Sequence, residues 1–171
     1  MLDQTGTGFK PSKYTSFNTR YDKLNNPRSA GYQAYRYTRC VIAVKGFGET
    51  EFKNKKPVHY FDIEAQNGGL LLGGLCRDWI NSQTGEVTTS CSVITLPPHE
   101  KLTHIHSKAM PLILPQDENI IDSWLNTTLI DVEQLTPFLR ANIPQNLIAQ
   151  QIDKPMTHNT INKPELITSD N

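Results

Sequence analysis

The rhythm of apolar and polar positions changes twice along this chain. Residues 1–38 are polar and punctuated by Gly, Pro and Asn, and no apolar period persists, so they read as loops and short irregular segments. Short β-rich runs follow. Cys40 to Val44, closed by Gly46, predicts a strand, and Val58 to Ile63 after Pro57 predicts a second. Leu70 to Cys76 predicts a third, whose internal Gly73-Gly74 signals a bulge or a close backbone approach. Thr88 to Thr95 alternates as a fourth, ended by Pro97-Pro98, and Pro111 to Leu114 reads as a short fifth. The period then lengthens. Ile120, Ile121, Trp124 and Leu125 fall at helical spacing within 117–125, behind an acidic first turn. Val132, Leu135 and Leu139 predict a second short helix over 131–140. Leu147 to Ile152 predicts a last strand, and the polar chain beyond Pro155 is expected to be loose. Strands followed by short helices argue for one α+β domain around a β-rich core.

At 171 residues and 19.3 kDa the chain can bury one sizeable core. Its longest apolar runs are far too short to cross a bilayer, and no basic start leads into an apolar stretch as in a secretion signal. Cys40, Cys76 and Cys91 form no C-x-x-C pair, which suggests reduced thiols in a cytoplasmic protein.

The zero net charge hides an asymmetry. Residues 1–56 carry eleven Lys/Arg against four Asp/Glu, a balance of +7, and the remainder carries −7. Tyr14, Tyr21, Tyr32, Tyr35 and Tyr37 lie in the basic part, with Phe9 and Phe17. Basic side chains neutralise phosphates and aromatic faces stack on unpaired bases, which suits a groove for single-stranded nucleic acid. A solvated charged surface edged by packed tyrosines explains the same composition.

Three short stretches carry candidate chemistry. Glu49, in Gly46-Phe47-Gly48-Glu49, sits where glycines let a carboxylate be turned into a cleft, whereas Glu51 reads as an exposed hairpin residue. His104 and His106 would share one side of an extended segment. A metal use of that pair lacks further ligands, so a proton-shuttling histidine is the better reading, with no metal or cofactor expected. Asn18 and Arg20, two apart, could grip one phosphate or sugar from an extended segment.

The ordered set Phe17-Asn18-Thr19-Arg20, Arg39-Cys40-Val41-Ile42-Ala43, Gly46-Phe47-Gly48-Glu49, Gly73-Gly74-Leu75, Val93-Ile94-Thr95, Ile105-His106 with Met110-Pro111, and Ser123-Trp124-Leu125 resembles the SRAP family. These are the SOS response-associated peptidases that process abasic sites. The resemblance runs from about Phe9 to Ile152, and implies a single SRAP-like domain over 1–155 followed by a polar tail over 156–171. It implies a β-rich fold of curved, barrel-like antiparallel sheets with a few short helices, and a positively charged cleft for single-stranded DNA carrying abasic sites, with no membrane partner. Carried over by position, Glu49 would be the catalytic carboxylate and His106 the proton donor. Asn18, Arg20, Thr95, Arg39 and Lys108 would contact DNA.

Departures from the family pattern set further expectations. The family starts Met-Cys-Gly-Arg, and its terminal Cys captures the ring-opened aldehyde as a thiazolidine; here the start is Met1-Leu2-Asp3. The chain therefore reads as shortened at its N-terminus, with the thiazolidine cross-link lost and abasic-DNA binding retained. The alternative is a truncated or split-gene, non-catalytic remnant whose missing N-terminal segment is absent or supplied by a partner chain. The histidine segment is one residue longer than usual, and Gly48-Glu49-Thr50 replaces the family's Tyr-Glu-Trp. The protein is expected in the cytoplasm, near the nucleoid when DNA is damaged.

Overall fold

A computed structural model describes residues 2–13 and 16–170; Met1, Tyr14 and Thr15, to which the sequence reading assigned a start residue and an aromatic, lie outside the described residues. In chain order the elements are β1 (Leu2–Thr5), β2 (Gly8–Pro11), β3 (Asn18–Arg20), α1 (Tyr32–Tyr37), β4 (Arg39–Val44), β5 (Gly46–Lys53), β6 (Lys56–Ala65) and β7 (Leu70–Ile80). There follow β8 (Val87–Leu96), β9 (Met110–Pro111), β10 (Ile113–Leu114), α2 (Glu118–Leu125), β11 (Leu147–Ile152) and β12 (Glu165–Ile167). This is the expected β-rich α+β architecture. A six-stranded sheet runs β10-β7-β8-β3, with β4 beside β7 and β9 beside β8. A four-stranded sheet runs β12-β11-β6-β5, and β1 and β2 form a separate hairpin. Pairing is antiparallel throughout except that β3 lies parallel to β8.

One apolar cluster joins the sheets to the helices. Leu70, Leu72, Leu75, Ile94, Leu96, Ile63, Leu147 and Ala149 come from strands, Tyr35 from α1 and Trp124 from α2. The Asp117 carboxylate caps α2 by accepting from the Ile120 amide. Trp124, fully buried, donates from its indole to the Cys40 carbonyl at 2.9 Å. Gly73 is a close approach and not a bulge: β7 runs through it, and a Cβ there would stand 2.5 Å from Leu112 Cδ2.

Several expectations need correction. Residues 1–38 hold three strands and α1, because short polar strands at sheet edges show no apolar run. The hairpin β1–β2 is tied down by Asn81, wholly buried, whose amide donates to the carbonyls of Thr5 and Gly8. The stretch Gly46–Lys53 is a strand in its own right, joined to β6 by a two-residue loop in which Asn54 and Lys55 take φ of 52° and 64°. The segment after Asp131 is a 3-10 helix, Val132–Phe138, because Pro137 removes an amide and disfavours α geometry before it. The fifth strand is divided, Met110–Pro111 pairing with β8 and Ile113–Leu114 with β7. The tail is not loose: β12 pairs with β11, and Asp170 accepts from the Ile143 amide and from Lys101.

Arg39 is also corrected. It is buried, and its guanidinium donates to the backbone carbonyls of Tyr35, Arg36, Trp124 and Asn126. With those donors spent on the chain, it clamps α1 to the end of α2 and is not presented to DNA.

Candidate active site

Strand alternation places Glu49 and Glu51 on the face of β5 that carries Phe47. Phe47 is registered with Ile63, a core residue of β6, and Glu49 with Phe61. Both carboxylates therefore project from the apolar face of the sheet at its end. A register shift between Glu51 and Phe52 breaks the ladder beside them, a device that re-aims side chains.

The loop between β8 and β9 supplies the rest. It leaves the sheet after Leu96 and returns where Pro111 pairs with Thr95. His59 of β6 bonds the Ile105 carbonyl at 2.8 Å, and Ile105 is wholly buried, so the loop is anchored just before His106. Glu51 holds it just after: one oxygen accepts from the Ser107 amide at 2.9 Å and the other from its hydroxyl at 2.8 Å. His106 is thereby set with Nδ1 3.3 Å from Glu51 Oε2 and 3.8 Å from Glu49 Oε2. That buried nitrogen is not aligned for a hydrogen bond to either carboxylate.

The two carboxyls are driven apart electrically. The Ser107 amide, and then its hydroxyl, hold Glu51 below the usual carboxylate range, with His106 and Lys108 adding positive charge. Burial pushes Glu49 up to about 7, and the neighbouring Glu51 charge adds to the rise. One carboxylate is thus a fixed anion that orients the loop, while the other exchanges a proton near neutral pH.

The sequence reading placed Glu49 and His106 in one site, and the structure brings them together. It missed Glu51, Ser107 and His59. Reading 46–53 as a strand would have recovered Glu51, since residues two apart share a face. His104 does not share a side with His106, because the segment is a series of turns; it bonds the Glu165 carboxylate instead, at 2.9 Å.

Asn18, Arg20 and Thr95 form a neighbouring group on the other sheet. Asn18 is registered with Val93 and Arg20 with Thr95, so all lie on one face. Arg20 is exposed and bonds Asp22 through two nitrogens, at 3.0 and 2.8 Å. Phe17, next to Asn18, is 77% exposed. The His106 loop starts and ends beside Thr95 and is bonded to β5, and so links the two groups. The wider basic half contributes less than its composition suggests. Tyr35 is fully buried, and Arg36 stacks over Tyr32 at 3.6 Å while donating to the Leu24 and Tyr32 carbonyls. Among the described residues no group of His, Cys, Asp and Glu is arranged to hold a metal ion.

The profile of the SOS response associated peptidase (SRAP) family matches residues 5–159. The chain belongs to the SRAP family. This SRAP protein is 31% identical over 132 residues to the abasic site processing protein YoqW of Bacillus subtilis (strain 168) and of Bacillus phage SPbeta. YobE of Bacillus subtilis (strain 168) is likewise 31% identical over 132 residues. These stretches cover 77% of the chain but only 57% of YoqW and 56% of YobE. Solved structures share the fold. A protein from Bacteroides thetaiotaomicron superposes with a TM-score of 0.65 at 22% identity, over 80% of this chain and 58% of that one. A phage-related protein from Bordetella bronchiseptica does so at 0.60 and 16%, over 91% and 73%. No helix among the described residues is long and apolar enough to cross a membrane.

Proposed function

We propose that this SRAP chain binds single-stranded DNA at abasic sites in the cytoplasm and that Glu49 and His106 act on the deoxyribose there. The observation that carries the reading is the Glu49 carboxyl, held up at about 7 beside an imidazole nitrogen that has no hydrogen-bond partner. An abasic sugar interconverts between a closed hemiacetal and an open aldehyde. Opening needs a proton delivered to the ring oxygen and one removed from the 1-hydroxyl. A carboxyl that is about half protonated at neutral pH can deliver the first and an imidazole can take the second, which reverses the proton-donor role that the family resemblance implied for His106. Glu51 stays ionised and stabilises positive charge developing on His106.

In this reading Phe17 stacks on a base beside the gap, and Asn18, Arg20 and Lys108 take the flanking phosphates, with Thr95 lining the site. Arg20 would exchange Asp22 for phosphate, a swap between two oxyanions of similar geometry. The names of YoqW and YobE support the abasic substrate.

Fluorescence anisotropy tests this with three single-stranded oligonucleotides: intact, carrying a natural abasic site, and carrying a tetrahydrofuran analogue that cannot open. The natural site should bind tightest, and Glu49→Gln should bring it down to the level of the analogue. Equal affinity for all three in the unsubstituted protein overturns the reading.

A further inference from the structure

Away from the acid–base cluster, the three cysteines gather on one patch of the six-stranded sheet. Cys76 of β7 stands directly opposite Cys91 of β8, and Cys40 of β4 stands opposite Gly74, one step further along the same face. Directly paired residues share a face, so the patch continues along β8 through Val93 to Thr95, with Asn18 and Arg20 flanking it on β3.

The kind of pair decides whether two sulfurs can meet. Cys76 donates its amide to the Thr38 carbonyl and accepts the Thr38 hydroxyl on its own carbonyl, so both backbone groups point towards β4. Val93, two residues along from Cys91, turns its amide to the Phe17 carbonyl, away from β7. Both facts make Cys76 and Cys91 a non-hydrogen-bonded pair. Such pairs bring Cα atoms to about 4.5 Å and their side chains closest together. That lies within the Cα separation of about 4.4–6.8 Å that a disulfide spans. Cys40 is diagonal to Cys76, a relation that in sheets separates Cα atoms by about 7–8 Å, beyond that span, so although the Cys76 thiol is in hydrogen-bond contact with Cys40 and donates to the Thr38 carbonyl at 3.4 Å, the backbones of that pair stand too far apart for a bridge.

Access grades the three thiols. Cys91 is exposed, whereas Cys76 and Cys40 are partly buried. Burial, and then the neighbouring thiols, push Cys40 up to about 12, which keeps it protonated and a poor nucleophile.

We propose that Cys76 and Cys91 are a redox-active dithiol that a peroxide closes into a cross-strand disulfide. The Cys91 sulfur attacks one oxygen of hydrogen peroxide, breaking the O–O bond and giving a sulfenic acid and water. The Cys76 sulfur then attacks the Cys91 sulfur, expelling a second water as the S–S bond forms. Two thiols are oxidised, one peroxide is reduced, and two waters leave. The modification site lies on the face of Asn18, Arg20 and Thr95, but its chemistry does not depend on nucleic acid binding.

The test exposes the full chain to one equivalent of hydrogen peroxide, blocks remaining thiols with an alkylating agent, and maps the linkage by mass spectrometry. The expected product is a monomer lighter by two hydrogens, linked Cys76–Cys91, with Cys40 alkylated and the bond reversed by dithiothreitol. Cys40→Ser should form the same link, and Cys91→Ser none. A Cys40–Cys76 link, a dimer joined through Cys91, oxidation of Cys91 only to sulfinic acid, or three alkylated thiols would each overturn the proposal. Mapping of the unsubstituted chain suffices if a variant does not fold.

Discussion

At the scale of single residues, burial decides what a side chain is for. Arg39 and Arg20 carry the same charge and differ in everything else. Arg39 supplies four backbone carbonyls inside the protein, whereas Arg20 lies exposed against one carboxylate. Arg39→Ala leaves those buried acceptors unmet, and we expect a loss of about 2–4 kcal/mol in urea unfolding. Arg39→Lys should recover only part of it, since an ammonium cannot reproduce the fork. Glu49 gives a pH signature. Its folded pKa of about 7 lies above the usual carboxylate value, so the unfolded chain releases that proton first. Its stabilising contribution is complete below about pH 4.5 and declines as pH rises towards 7 and beyond, by up to about 3 kcal/mol. Glu49→Gln should flatten that decline in thermal melts between pH 5 and pH 8. If the decline is unchanged, Glu49 is not the buried acid.

At the scale of elements, what the sequence showed depended on how each segment is covered. β4, β7, β8 and β11 sit against the core and carry apolar runs, so they could be read directly, as could α2 with its cap and Trp124. β1, β2 and β3 are short and largely polar, and β12 is three residues long with only Ile167 in the core, so their pairing rests on backbone bonds that leave little trace in side-chain pattern. β5 misled for another reason: Gly46 and Gly48 read as a turn, yet Gly46 is required because a Cβ would stand 2.3 Å from the Ile63 carbonyl. That misreading hid Glu51. The His106 loop depends on it, so Ser107→Ala should matter more than an exposed hydroxyl suggests. We expect a change below about 1 kcal/mol in global stability, since one side-chain hydrogen bond is lost. The preference for a natural abasic site should fall at the same time, because misplacing His106 costs geometry and not folding. Stability in urea and anisotropy with the three oligonucleotides separate the two effects.

At the scale of the whole molecule, the charge division seen in the sequence is only partly a surface property. Arg36, Arg39 and Tyr35 are spent on internal contacts, whereas Phe17, Asn18, Arg20, Tyr21 and Lys108 are exposed. Glu49 and the residues proposed to hold DNA belong to different sheets, joined by the His106 loop. Asn18 and Arg20 are carried by a strand of three residues at the margin of its sheet, paired among the described residues with β8 alone and parallel to it. A short marginal strand opens at little energetic cost while the interior of the sheet stays closed. Amides of 18–20 should therefore exchange with deuterated solvent well before those of β7, and bound oligonucleotide should slow them selectively. If the proposed reading holds, lesion recognition amounts to freezing a fraying edge: the edge that carries Asn18 and Arg20 orders only once an oligonucleotide lies on it, whereas the Glu49–His106 pair is built whether or not anything arrives.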